Sequence, residues 1–96
     1  MSRVVRSVRA NRDLKLILRH IALDNLSAAL RWIVEIDELF DLMAMQPYMG
    51  EAIQTRRLGR VRRISHGNYV VYFRPLRDGV HLVRVYHGAR DQERLI

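Results

Sequence analysis

The hydrophobic period changes once along this chain, and that change sets what it can fold into. Between Ala10 and about Gln46, apolar residues return every three or four positions. Beyond Gly59 they return every second position. The first rhythm builds a helical layer and the second a sheet, so the expected class is α+β.

Leu14, Ile17, Leu18 and Ile21 fall at i, i+3, i+4 and i+7, the inner face of a first helix starting near Ala10. Asp13 is placed in its first turn, where a carboxylate suits the helix dipole. Arg12, Lys15 and Arg19 lie on the far side. Leu16 and Leu23 lie there too, either packed on the next helix or forming a stripe for a partner. Asp24-Asn25 breaks the helix, and Asn25 is the expected N-cap of a second. Ala29, Trp32, Ile33, Ile36, Leu39, Phe40 and Met43 make its apolar face, with Trp32 as core anchor and Glu35 and Glu38 outward. It stops before Pro47, which disfavours helix in the residue preceding it. A joint of two or three residues makes the pair an antiparallel hairpin.

Pro47 to Gly59 reads as a loop, with Gly50 a turn point. Arg62, Ile64 and His66 then alternate with Arg63 and Ser65. Gly67-Asn68 signals a two-residue hairpin turn. Tyr69 to Phe73 is apolar throughout, as in a central strand covered on both faces. Arg77-Asp78-Gly79 turns into a last strand, Val80 to His87. Strict alternation puts Val83, Val85 and His87 on one face and Leu82, Arg84 and Tyr86 on the other. With a short edge strand near Arg3–Val8, the order is β-α-α-β-β-β: a helical hairpin on a small, mostly antiparallel sheet.

At 96 residues the expectation is one domain, residues 1–96. There is no cysteine, hence no disulfide or thiolate metal site. No apolar run approaches a membrane span, and the expected location is the cytoplasm.

Charge is divided along the chain. Residues 1–20 carry +5, residues 21–55 carry −5 and residues 56–96 carry +7. All the basic residues but Lys15 are arginine. Arginine forks match carboxylates and phosphates, which points to a polyanionic partner. Sequence-specific DNA binding is not expected, because the second helix is acidic outside. Arg56, Arg57, Arg60, Arg62 and Arg63 lead into a strand. With Arg74, Arg84, Arg90 and Arg94 they are expected to form a cationic groove for an acidic, amphipathic segment bound as a helix or an added strand.

No triad spacing, zinc helix motif or glycine-rich phosphate loop appears, so no metal and no cofactor are expected. Metal-free RNA cleavage needs an acid, a base and positive charge at the phosphate. Arg62, Arg84 and Arg90 would supply charge, and Tyr86 or Tyr48 would stack a base. His87 is expected to be packed or hydrogen-bonded. In the closing stretch, Gly88 allows a close backbone approach. Asp91 is expected to pair with Arg74 or Arg84 and to fix the last turn, leaving a tail from Gln92 to touch a target or partner.

These pieces carry a resemblance. "GNYVVYFRP" and "GVHLVRVYHGARD", between Gly67 and Asp91, resemble the C-terminal half of the ParE branch of the ParE/RelE superfamily, bacterial type II toxins. "ANRDL" (Ala10 to Leu14), "DN" (Asp24-Asn25) and "PYMG" (Pro47 to Gly50) are similar to that family's helix start, helix bend and post-helix turn. Val8 and Leu26 stand where the family often has proline. The resemblance implies a toxin held in a hetero-oligomer by a cognate antitoxin, which typically wraps it with a C-terminal segment. ParE-branch members characteristically poison DNA gyrase and are not nucleases. RelE-branch members cut messenger RNA on the ribosome, usually with a C-terminal tyrosine. No tyrosine follows Arg90 here, which favours the gyrase branch. If the chain were RelE-like, Arg84, Arg90 and Tyr86 would be the catalytic candidates. A decayed toxin that only binds antitoxin is the remaining reading.

Overall fold

The computed structural model describes residues 2–88. In chain order the elements are β1 (Arg3–Arg6), α1 (Val8–Asp24), α2 (Leu26–Met45), β2 (Glu51–Thr55), β3 (Gly59–His66), β4 (Tyr69–Leu76) and β5 (Gly79–His87). The strands form one sheet in the order β1-β5-β4-β3-β2. β1 runs parallel to β5, and every other pairing is antiparallel. The two helices lie on one face of this sheet. The class is α+β, a helical hairpin on a small mixed sheet.

Each junction has a local cause. Ser7 ends β1 by donating its N–H to Leu82 O at 3.0 Å. Its hydroxyl then accepts from Ala10 N at 2.9 Å and donates to Val83 O at 2.8 Å. One residue therefore caps α1 and ties its start to the β5 edge. The helix begins earlier than the apolar period indicates, so Asp13 is not in its first turn. The joint between helices is Asn25 alone. Its N–H closes α1 on Ile21 O, and its side chain accepts from Ala28 N at 3.0 Å to open α2. One extended residue does both jobs, which makes the expected two- or three-residue joint unnecessary.

The expected loop over 47–59 contains β2, paired with β3 from Glu51↔Arg63 to Thr55↔Gly59. Only Ile53 of its side chains packs on a hydrophobic cluster, so the strand has little apolar alternation to show. The turn to β3 is closed by Thr55 Oγ1, which accepts from Leu58 N at 2.8 Å. At the β3–β4 turn, Gly67 takes φ 58°, the conformation a II′ hairpin places at its first central residue. Gly88 N–H donates to Asn68 O at 2.8 Å, the close approach expected of it.

β5 departs from strict alternation. Tyr72 pairs with Arg84 and Phe73 with Leu82, so Val83 is an extra, bulged residue. Leu82 and Val85 both reach the main core, and Arg84 and Tyr86 share the opposite face. The alternation rule had set Leu82 beside Arg84, and the bulge reverses that.

The main core lies between hairpin and sheet and includes Leu14, Ile36, Phe40, Met43, Val71, Phe73, Val80 and Leu82. Trp32 is half-buried against it and meets Tyr69 edge-on at 5.6 Å. Its indole N–H has no acceptor among the described residues. His87 also packs edge-on against Tyr69, at 5.5 Å. No helix is long and apolar enough to cross a membrane.

Candidate functional site

The sheet face turned away from the helices has no covering layer among the described residues. A row of residues crosses it in register: Glu51 on β2, Arg63 on β3, Tyr72 on β4 and Arg84 on β5. The next row is Ser65, Val70 and Tyr86. Val61, Tyr72 and Tyr86 form a second small core on this side, with Ile53, Leu58 and Val70 against it. The Tyr72 and Tyr86 rings meet edge-to-face at 5.8 Å. A depression of about 290 Å³ lies over these rows, lined by Glu51, Arg63, Ser65, Val70, Tyr72, Tyr86 and Gly88.

Both arginines of the row are held by carboxylates. Arg63 pairs with Glu51 at 3.1 Å. Burial works to lower the Arg63 pKa, but hydrogen bonds and charge from Glu51, then Tyr72, outweigh it and leave the pKa raised. With Glu51 ionised, this contribution is lost as the pH rises through the arginine range. Arg84 makes a two-pronged pair with Asp13 of α1, at 2.8 and 3.0 Å. Its guanidinium carbon sits 4.5 Å from the Tyr86 ring centroid, within cation–π range. The structure thus brings Arg84 and Tyr86 together.

The other expected arginines are dispersed. Arg62 points to the helix side of β3 and donates to the carbonyls of Tyr48, Met49 and Gly50. Arg74 donates to the Leu58 carbonyl. Both hold loops in place. Arg56 and Arg57 are exposed at the β2–β3 turn, with Arg60 exposed just beyond it. Together with Tyr48, Ile53 and Gln54, Arg60, Arg62 and Arg74 line a wider cleft of about 710 Å³ at that end of the sheet. Among the described residues, the exposed cationic surface is therefore a turn and a cleft at one end of the sheet. Arg90, Asp91 and Arg94 lie outside the described residues. Among the described residues, the carboxylate on Arg84 is Asp13, a residue that sequence reasoning had assigned to the helix dipole.

Leu16 and Leu23 lie on the outer side of the hairpin, 59% and 82% exposed. Both are left mostly to solvent. Asn25 and Gly67 hold the turns described above. Among the described residues, no group of three or more His, Asp or Glu is placed to hold a metal ion.

No curated protein matches this chain. The family model for the ParE toxin of the type II toxin-antitoxin system, parDE, matches residues 4–92. That span takes in the hairpin, β2 to β5, all of β1 but Arg3, and the rows of the open face. By this match the chain belongs to the ParE toxin family of type II toxin–antitoxin systems.

Proposed function

We propose that the chain poisons DNA gyrase by binding it, without cleaving nucleic acid itself, and is silenced by a cognate antitoxin. The observation that carries this reading is the ParE family match over residues 4–92. The open face adds support. Its two central arginines already face Glu51 and Asp13, an arrangement suited to holding a surface together and poor at meeting a scissile phosphate. The antitoxin's acidic segment is assigned to the end of the sheet where Arg56, Arg57 and Arg60 are exposed and the half-buried Ile53 lines the cleft. β2 is the outer strand there, so an extended segment can add to its edge. The reading places the toxin in the cytoplasm, in one domain and in a hetero-oligomer.

One observation favours the ribonuclease reading: Arg84 stacked on Tyr86 beside Tyr72, on an open face. Two parallel assays on the purified chain, freed from antitoxin, decide between the two. The gyrase reading expects loss of supercoiling and trapped cleaved plasmid, with messenger RNA intact on programmed ribosomes. Ribosome-dependent cuts with unaffected gyrase would overturn it and make Arg84, Tyr86 and Arg90 catalytic candidates. Truncation after Asp91 is expected to lower toxicity more than antitoxin affinity; equal losses with a lower Tm would make the tail structural.

A further inference from the structure

The outer face of the helical hairpin points away from the sheet and carries exposed apolar residues. Leu16 and Leu23 on α1 are 59% and 82% exposed, and Leu30 and Val34 on α2 are each 57% exposed. A face of two helices, about 30 Å long and 20 Å wide, has an area of roughly 600 Å², the lower end of what a specific pair needs from each partner.

Away from the bend, the charges around this stripe are sorted by helix. α1 presents Arg9, Arg12 and Arg19, and α2 presents Glu38 and Asp41 with Arg31 nearer the bend, all exposed; Glu35 turns to the sheet, where it pairs with His66 at 3.4 Å. The helices are antiparallel and meet at Asn25, so residues equally far from Asn25 stand at the same level. Arg9 is level with Asp41, Arg12 with Glu38 and Leu16 with Val34. Neither Arg12 nor Glu38 makes an ion pair among the described residues.

We propose that this face binds the same face of a second copy. A two-fold axis along the hairpin lays α1 of one copy over α2 of the other and keeps the levels unchanged. Arg9 and Arg12 then face Asp41 and Glu38 of the second copy, and Leu16 faces Val34. The patch is self-complementary at these three levels, as an isologous contact requires, while Arg19 and Arg31 stand opposed nearer the bend. The product is a four-helix layer between two sheets. A polyanion would be repelled by α2, and a polycation by α1. A partner with both charges in the order of Arg9, Arg12, Glu38 and Asp41 fits this end of the hairpin, and the chain is itself such a partner. This inference does not depend on whether gyrase or the ribosome is the target.

Sedimentation equilibrium of the full chain, free of antitoxin, tests it. The expected result is a monomer–dimer equilibrium that weakens with salt. Arg12→Glu and Glu38→Arg should each raise the dimer Kd about tenfold or more, and the double variant should restore it to within about threefold of the parent. Unchanged circular dichroism and melting in all three variants keeps the comparison clean. A chain that is monomeric throughout would overturn the proposal. So would a dimer indifferent to both reversals, or a monomer whose hairpin becomes protected only on adding antitoxin.

Discussion

Asp13 serves three donors with one carboxylate: Arg84 Nε at 2.8 Å, Arg84 Nη2 at 3.0 Å and Val85 N at 3.0 Å. β1 pairs with β5 only as far as Leu82, so the Val85 N–H would otherwise face an empty edge. Asp13 fills that place from α1 and fastens the helix to the strand. The Asp13 and Arg84 side chains are only 12% and 21% exposed, so the pair is largely out of water. Asp13→Ala should cost about 3 kcal/mol in urea denaturation, because a largely buried guanidinium and the Val85 N–H lose the Asp13 carboxylate. Adding Arg84→Leu should recover part of that loss. If the double variant shows the sum of the two single losses, the pair is not the cause. The sequence shows Asp13 at a helix start and Arg84 on a strand, but nothing local joins them. Their contact depends on how far β1 extends and where β5 bulges, and both are tertiary facts. The same limit hid the fixed roles of Arg62 and Arg74, whose acceptors are backbone carbonyls without a side-chain signature.

The helices and the long strands were legible because each repeats its own period over enough residues. β2 was not, since it is short, at an edge, and carries one apolar side chain that packs. The bulge at Val83 was not legible either, because Leu82 and Val83 are adjacent apolar residues and each satisfies one of the two phases. β1 is short, and its place beside β5 rests on the backbone as much as on side chains. A Cβ at Gly79 would stand 1.8 Å from Arg3 O, so only glycine lets the first strand lie this close. Backbone atoms cannot swing aside as a flexible side chain would. Gly79→Ala should therefore displace β1, lowering stability by about 2 kcal/mol or more. Native-state hydrogen exchange locates the damage. The Arg3 and Ser7 amides, which donate to Asp78 O and Leu82 O, should lose protection while the β3–β4 ladder keeps it. Uniform loss across all strands would mean that β1 is not separable from the rest.

At the scale of the whole molecule, the division of charge read from the sequence survives in the fold, but its geometry changes. The chain has net charge +7, with an acidic α2 on one side and Arg56, Arg57 and Arg60 exposed at the far end of the sheet. Arginines held by Asp13, Glu51 or backbone carbonyls contribute less to the outer field than a count implies. The exposed turn, free of such partners in its surroundings of open solvent, contributes more. An acidic antitoxin segment approaching through water feels that turn before any contact forms. Changing Arg56, Arg57 and Arg60 together to Glu should thus act on encounter. Stopped-flow association with the cognate antitoxin should slow about tenfold or more at low salt, with a smaller change in dissociation rate. Raising the salt should bring parent and variant together, because screening removes the steering that distinguishes them. If dissociation quickens while association is unchanged, these arginines are buried contacts of the complex. The cationic end of the sheet would then be the seat of the antitoxin and not its guide.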